Sequence, residues 1–296
     1  TEACELAVKM ARKYFFDKGE AERVEIITFD GSFHGRSSAG IAAAGSEKLT
    51  KGFGPLLGGF VHVPFGVHEP LHSAVSNKTA AVMIEPIQGE GGIRQVPDQC
   101  LSGLRDFCDE HGILLILDEV QCGVGRSGRL FAHEWAGIKP DIMMVAKGIG
   151  GGFPIGAVLA TQEAASGMTV GTHGSTYGGN PLGCAVGSAV LDIVSEPAFL
   201  ADVNRKSGLM CQGLGGLVGQ FSDIFEGVVG SGLMLGLKCK ASNIEVVNAG
   251  YDVGVLTVPA AENVVRLLPP LNILDKDITT ALTRLDAAAQ IVRTAL

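Results

Sequence analysis

Glu85, Asp118 and Lys147 each stand directly after a short apolar run, at a position where a strand would end. In open α/β sheets, ligands bind beyond the carboxyl ends of the strands, so these three side chains are expected at one edge of a sheet. Glycines follow each of them closely, and glycine lets the backbone approach a bound molecule. The arrangement predicts a site for carbonyl or cation chemistry.

Lys147 is the candidate nucleophile. It lies between the apolar residues 142–146 and a glycine run, which predicts small, apolar neighbours and a desolvated amine. An amine in such surroundings attacks carbonyl groups readily. The alternative is an ordinary surface lysine at the end of a strand.

Asp118 ends an apolar run and is expected to be buried. A buried carboxylate needs a cationic partner, which could be a protonated pyridine nitrogen, a metal ion or a neighbouring arginine. Residues 114–119 also resemble the acidic strand of a nucleoside triphosphatase. The chain has no GxxxxGK[ST] phosphate loop, which argues against that class.

Residues 68–72 match HExxH, the signature of zinc peptidases. The two imidazoles bind zinc only when a helix places them on one face. Pro70 is tolerated in a first helical turn but not in a helix interior, so His68 is expected before the helix, away from the face of His72. We therefore predict no metal site.

Composition narrows the class of protein further. The 296 residues carry a net charge of −8, which disfavours nucleic acid as a partner, and 46% are hydrophobic, enough for a buried core. No apolar run approaches the roughly 18 residues of a membrane span, so no membrane partner is expected. Seven cysteines without a CxxC pair favour a reducing cytoplasm over a disulfide framework.

Apolar runs alternate with amphipathic segments along the first two thirds of the chain. Helices are predicted at 3–16 and 99–111, and strands at 24–29, 80–84, 113–117, 142–145 and 157–160, while residues 60–63 form a short apolar piece. Unbroken apolar strands between helices are typical of a mostly parallel sheet sandwiched by helices. The predicted large domain is 1–195.

After residue 196 the pattern changes to that of a smaller α+β domain, predicted at 196–296. Helices are expected at 197–218 and 275–296, and strands at 224–229, 233–238 and 264–267.

Five motifs in a fixed order resemble a known family. They are Phe33-His34-Gly35-Arg36, residues 85–92 (EPIQGEGG), residues 117–126 (LDEVQCGVGR), Ala146-Lys147-Gly148 and residues 173–182 (HGSTYGGNPL). The series resembles the class III pyridoxal-phosphate-dependent aminotransferases over essentially the whole chain, and is most similar to those acting on acetylornithine and ornithine. The resemblance implies an α/β fold of type I.

The resemblance also implies pyridoxal 5′-phosphate as cofactor and a role for each matching residue. Lys147 would join its amine to the cofactor aldehyde and later move a proton, and Asp118 would keep the ring nitrogen protonated. The other implied cofactor contacts are Phe33 and Val120 on the two ring faces, Gln121 at the ring hydroxyl, Thr1 at the phosphate on a helix N-terminus, and Thr176 at the phosphate of the neighbouring subunit. The last contact implies a homodimer with shared active sites.

Three further residues would bind substrate. Arg36 would hold the α-carboxylate, and Glu90 would cover Arg266 until 2-oxoglutarate brings a distal carboxylate for that arginine to bind. For Arg266 the alternative is a domain-interface salt bridge. The implied ping-pong reaction transfers the δ-amino group of N2-acetylornithine to 2-oxoglutarate, in arginine biosynthesis, giving N-acetylglutamate 5-semialdehyde and glutamate.

Other members of the class remain open as alternatives: ornithine, succinylornithine, succinyl-diaminopimelate and 4-aminobutyrate aminotransferases. The sequence departs from many relatives at Cys4 and Cys122, near the cofactor. The family's N-terminal segment has no counterpart before Thr1. A truncated chain that folds but binds cofactor poorly is therefore a second alternative.

Overall fold

Helices and strands alternate along residues 1–295, the part of the chain that this computed structural model describes. The strands are β1 Glu25–Phe29, β2 Phe60–Val63, β3 Thr79–Ile84, β4 Ile87–Gln88, β5 Arg94–Gln95, β6 Leu114–Asp118, β7 Ile142–Val145, β8 Ala157–Ala160, β9 Phe225–Ser231, β10 Met234–Cys239, β11 Val258–Ala260 and β12 Val264–Leu267. The helices are α1 Glu2–Asp17, α2 Ser38–Ala44, α3 Glu47–Thr50, α4 His68–Ala74, α5 Asp98–His111, α6 Pro181–Val194, α7 Pro197–Gln220, α8 Asn243–Asp252 and α9 Asp275–Ala295.

The first compact unit comprises residues 1–86, 96–124 and 131–193. Its six-stranded sheet has the order β2-β1-β3-β6-β7-β8. The strands β1, β2, β3, β6 and β7 are parallel, which confirms the mostly parallel α/β fold.

The expectation that the apolar run 157–160 joins the parallel set is wrong, because β8 pairs antiparallel with β7. A parallel return requires a crossover of a dozen or more residues, usually a helix. The link at 146–156 contains only a short 3-10 turn, Lys147–Gly150, so the chain turns back beside β7.

Both faces of this sheet are covered by helices. Alternate strand residues such as Ile26 and Ile116 pack with Ala7 and Ala11 of α1, in a cluster that also includes α2. Their neighbours along the strands pack with α4 and α5 in a second cluster, where Phe107 is prominent. A sheet covered on both faces needs apolar residues at every strand position, and this explains the unbroken runs.

The second compact unit comprises residues 87–95, 125–130 and 194 onward. Its four-stranded sheet is antiparallel in the order β11-β12-β10-β9, and α7, α8 and α9 contribute to its core. The predicted boundary at 195/196 lies close to the chain position where this unit resumes. Two short stretches from earlier in the sequence also belong to it, and one of them is the β4-β5 hairpin.

Several elements had no prediction: α2, α3, α6, α8, β4, β5 and β11. Helix α6 is strongly apolar, and Ser188 and Asp192 are its only polar side chains, so its solvent face is a weak signal in the sequence. Helix α8 and strand β11 are short, and periodicity is a weak signal at that length.

A helix that spans a membrane must be both long and apolar. None of the described helices is long and apolar enough by itself. Helices α6 and α7 meet the criteria of length and composition only as a pair, with a bend of 69° between them.

Candidate active site

The three strand-end residues line one pocket of about 220 Å³ in the first unit. Asp118 ends β6, Glu85 follows β3, and Lys147 follows β7 after one intervening residue. The lining also includes Thr1, Cys4, Phe33, His34, Gly35, Arg36, Val120, Gln121 and Ala146. The parallel strands therefore bring both acids and the amine to one edge.

Asp118 is a buried carboxylate with 4% of its surface exposed. Its Oδ1 accepts a hydrogen bond from the backbone N–H of Val120 at 3.0 Å, and its Oδ2 lies 2.7 Å from His34 Nδ1. A carboxylate oxygen can accept more than one hydrogen bond, so the group can still receive a proton donor from the pocket.

His34 is the partner of Asp118 that the sequence analysis missed. Its side chain is fully buried, and Nε2 has no hydrogen-bond partner among residues 1–295. Burial alone would lower the His34 pKa, but the hydrogen bond and charge of Asp118, together with the charge of Glu85, outweigh it and raise the pKa above its usual value. The imidazolium form is thereby favoured and keeps Asp118 in a cationic environment. The only feature of the sequence that could have indicated this role of His34 is its position in the motif Phe33-His34-Gly35-Arg36.

Glu85 holds the segment that carries Phe33. Its buried carboxylate accepts the backbone N–H of Phe33 at 2.8 Å. The guanidinium of Arg36 lies over the Phe33 ring, 5.6 Å from its centroid, and is exposed. The carboxylate therefore fixes the backbone from which the aromatic ring and the cation reach the pocket.

Lys147 differs from the expectation of a desolvated amine. It opens the 3-10 turn past β7, and its side chain is exposed although it lines the pocket. The desolvation premise was wrong because the lysine stands outside the apolar strand, beside glycines that cannot cover it. Its φ of +45° is unusual for a residue other than glycine.

A second residue with positive φ supports this turn. Val124 has a φ of +53° and is 2% exposed. A Cβ added to Gly148 would lie 3.2 Å from the Val124 Cβ, so the backbone beside Lys147 packs closely against that valine. Strained backbone is retained where the surroundings determine it, and such positions cluster at functional sites.

The loop after Asp118 is held by a second buried carboxylate, Glu119. Its oxygens accept the backbone N–H groups of Ala132 and His133 at 2.8 and 2.9 Å, and Cys122 Sγ lies 3.5 Å from one of them. These bonds fix the backbone that presents Val120 and Gln121 to the pocket.

The pocket fits the cofactor that the family resemblance implies. Thr1 is the N-cap of α1, and the N-terminus of a helix favours a phosphate group. Burial, with the charge of Asp118 as a smaller cause, raises the pKa of Cys4 to about 12, so this thiol adds no negative charge beside a phosphate. A buried acid for a ring nitrogen and an amine for an aldehyde line the same space.

Two predicted substrate residues form a pair in the second unit. Arg266 on β12 is 7% exposed and donates through NH1 to Glu90 Oε1 at 2.7 Å, while the Glu90 side chain is 43% exposed. The cation is thus buried and its carboxylate partner is open to solvent.

Thr176 does not line the pocket of its own chain. It lies in the exposed stretch 169–180, between β8 and α6. Its role toward a neighbouring subunit stays a prediction.

The HExxH segment differs in detail from the expectation. Helix α4 begins at His68 itself, so His68 is its first residue and Pro70 lies in its first turn. His68 was expected before the helix; the helix starts earlier because a proline needs no N–H partner in a first turn. Within residues 1–295, no group of three or more histidine, cysteine or acidic side chains could hold a metal ion.

The chain is similar to one family along almost its whole length: residues 1–289 match the family described as aminotransferase class-III. An acetylornithine aminotransferase from Rhodobacter capsulatus is 64% identical over 294 residues, which cover 99% of this chain and 75% of that protein. Another from Mesorhizobium japonicum is 57% identical over 289 residues, covering 98% and 72%.

Solved structures give the same family. The N-acetylornithine aminotransferase from Stenotrophomonas maltophilia superposes with a TM-score of 0.84 at 36% identity, over 100% of this chain and 74% of that one. The ornithine aminotransferase from Toxoplasma gondii superposes with a TM-score of 0.94 at 29% identity, over 100% and 72%. The chain spans about three quarters of the length of these proteins.

The raised pKa of His34 predicts a pH-dependent contribution to stability. His34→Asn keeps a donor near Asp118 but cannot titrate. The native state holds the imidazole proton more tightly than the unfolded state, so the contribution is full below the ordinary histidine pKa of about 6.5 and is lost as pH rises through the raised value. Urea unfolding of the cofactor-free protein at several pH values should show wild type losing its advantage over His34→Asn as pH rises. A constant difference would contradict the pairing.

Proposed function

Because the chain belongs to the class-III aminotransferases, whose cofactor is pyridoxal 5′-phosphate, we propose that it transfers the δ-amino group of N2-acetylornithine to 2-oxoglutarate. The products are N-acetylglutamate 5-semialdehyde and glutamate, in a step of arginine biosynthesis. The observation that carries the proposal is the pocket where buried Asp118 and the amine of Lys147 meet, in a chain 64% identical to an acetylornithine aminotransferase.

The family pattern assigns the cofactor contacts, and the lining of the pocket by most of these residues supports them. Lys147 would hold the aldehyde carbon, the α1 N-terminus at Thr1 would bind the phosphate, and Gln121 would reach the ring hydroxyl. Phe33 and Val120 would pack against the ring. When bound, pyridoxal 5′-phosphate supplies the electron sink that allows a proton to leave the carbon bearing the substrate's amino group.

Side chains of the protein control where the protons are held and moved during the reaction. Asp118 would accept a hydrogen bond from the ring nitrogen and favour the proton on that nitrogen. His34, whose pKa Asp118 raises, lies 2.7 Å from its Oδ2 and holds the carboxylate in place. The amine of Lys147 would take the proton from the substrate carbon that bears the amino group and would hold it for delivery in the later half of the proton transfer.

Arg36 binds the α-carboxylate that both substrates share, with the paired geometry of guanidinium and carboxylate. Arg266 distinguishes the two half-reactions. While Glu90 is paired with it, the arginine presents little free charge to the neutral acetylated side chain. When 2-oxoglutarate binds, its distal carboxylate replaces Glu90 as the partner of Arg266.

The active protein is a homodimer with shared active sites, in which Thr176 reaches the phosphate of the other subunit. The stretch around Thr176 is exposed in the single chain and includes large apolar side chains, with Tyr177 81% exposed. Contiguous exposed apolar residues favour a protein interface. Sedimentation equilibrium should give the mass of two chains at micromolar concentration, and a monomer would contradict the proposal.

We propose that the protein is located in the cytoplasm. All seven cysteines are free thiols in the described chain, and free thiols persist in reducing compartments. Recovery of the native protein only from an oxidising compartment would overturn this assignment.

A donor screen tests the proposed reaction. The cofactor-loaded protein is given 2-oxoglutarate with N-acetylornithine, ornithine, N-succinylornithine, N-succinyl-diaminopimelate or 4-aminobutyrate, and glutamate is measured. N-acetylornithine should give the highest kcat/KM. Lys147→Ala should lose turnover, and Asp118→Asn should lose roughly 100- to 1,000-fold, as for removal of one preorganised charge at a reacting centre.

The same screen separates the alternatives. A higher kcat/KM with another donor would reassign the substrate within the class. Turnover with none of them, in protein that binds cofactor at Lys147, would exclude the proposed reaction and favour a non-catalytic chain.

Removal of Glu90 tests the exchange of partners at Arg266. Glu90→Ala leaves the arginine uncovered against a neutral donor side chain. The rate of the N-acetylornithine half-reaction should fall by roughly 10- to 100-fold, the value of one hydrogen bond between charged groups. The 2-oxoglutarate half-reaction should change much less in single-turnover absorbance measurements. Equal losses in both half-reactions would contradict the exchange.

A further inference from the structure

Ile93 has a backbone conformation that isoleucine rarely adopts. Its φ is +54°, in the left-handed region, and its side chain is 2% exposed. A branched Cβ crowds the backbone there, so such a residue persists only where the surrounding contacts hold it. Ile93 lies three residues after Glu90, in the loop of the β4-β5 hairpin.

The side chain of Ile93 occupies a slot that two glycines leave in the second unit's sheet. A Cβ on Gly230 would lie 2.7 Å from Ile93 Cγ2, and a Cβ on Gly236 would lie 3.3 Å from Ile93 Cγ1. Any side chain at either glycine would crowd the isoleucine. We name this space, bounded by Gly230 and Gly236, the glycine slot.

The glycine slot lies directly beside Arg266. In the register of β10 and β12, Gly236 is opposite Arg266, and residues opposite each other in an antiparallel pair point to the same face of the sheet. Ile93 and the guanidinium that Glu90 covers are therefore on one face. The anchor of the loop and the partner of its carboxylate are neighbours.

Two further contacts hold the loop's backbone. The N–H of Ala261 donates to the carbonyl of Glu90 at 3.0 Å, and a Cβ on Gly92 would lie 2.8 Å from the Ala261 carbonyl. Ala261 begins a tight turn in which Glu262 and Asn263 both have positive φ, as in the type I′ turns of hairpins. This turn leads into β12, which carries Arg266.

The contrast between backbone and side chain is the informative observation. The loop backbone is fixed by the slot, by the bond to Ala261 and by the close approach of Gly92. The carboxylate it carries remains 43% exposed. Glu90 can thus leave Arg266 by rotating its side chain while the loop stays in place.

We propose that Ile93 is a positioning residue for donor discrimination: seated in the glycine slot, it holds Glu90 over Arg266 and lets only the carboxylate move. The inference rests on the proposed exchange of partners at Arg266. It adds that Ile93 fixes the loop backbone from which Glu90 makes this exchange. Without the isoleucine, the loop shifts, Glu90 covers Arg266 less well, and dicarboxylates gain access to the arginine in every state.

The test compares Ile93→Gly, Glu90→Ala and the double variant. Glycine accepts the positive φ but leaves the slot empty. In the cofactor-loaded protein, the ratio of kcat/KM for N-acetylornithine to that for glutamate should fall roughly tenfold in each single variant, with no further fall in the double variant. Glutarate, measured by calorimetry, should bind Ile93→Gly several-fold more tightly than wild type, because Glu90 competes less for the arginine.

Two controls separate positioning from stability. Ile93→Val keeps both γ carbons that contact the slot and should restore the wild-type ratio. Leu285→Ala removes a buried side chain from α9 in the same unit and should lower the melting temperature without changing the ratio or the affinity for glutarate.

The outcomes distinguish this inference from the proposed function. A wild-type ratio and glutarate affinity in Ile93→Gly, with both changed in Glu90→Ala, would overturn the role of Ile93 alone. Additive losses in the double variant would also overturn it, because the two residues would then act independently. Absence of transfer from N-acetylornithine in wild type would instead refute the proposed reaction.

Discussion

The site depends on one buried pair, the Asp118 carboxylate and the His34 imidazole, 2.7 Å apart at the carboxyl edge of the first sheet. An ionised carboxylate is costly to bury unless a cation and hydrogen bonds compensate it. Here the imidazole and one backbone N–H supply part of the compensation, and a protonated cofactor ring would supply the rest. The raised pKa of His34 is the reciprocal effect of the carboxylate on its partner. The Asp118 carboxylate is therefore buried and partly compensated by the fold itself, before any cofactor binds.

In each unit, residues other than glycine adopt positive φ close to the candidate functional residues. Lys147 and Val124 have positive φ in the first unit, and Ile93, Glu262 and Asn263 have it in the second. Lys147, Val124 and Ile93 each stand beside a glycine where an added Cβ would be crowded, and Glu262 and Asn263 lie in a tight turn. Part of the glycine excess, 42 of 296 residues, thus serves close approaches at the two sites and is not general looseness.

Helices and strands were predicted correctly from the sequence where a regular pattern of apolar residues indicates them. The strands of the first sheet were visible because burial on both faces demands continuous apolar runs. Helices α1 and α5 were visible because one face of each is apolar. Helix α6 has few polar residues to mark a solvent face, and it was missed. The direction of β8 was also missed, since an apolar run looks the same in a parallel and an antiparallel strand. The pairing of Glu90 with Arg266 was expected only from resemblance, across 176 positions of sequence.

The sequence by itself determined which residue types follow the strands, and thus that two acids and a lysine meet at one edge, because parallel strands end together. It also carried the ordered motifs of the family. The tertiary structure alone decided that His34 partners Asp118, that Lys147 stays exposed, and that Ile93 fits between two glycines beside Arg266. These facts depend on distances between segments far apart in the chain, and on backbone angles that neighbours impose. Neither is encoded in the spacing of residues along one strand or helix.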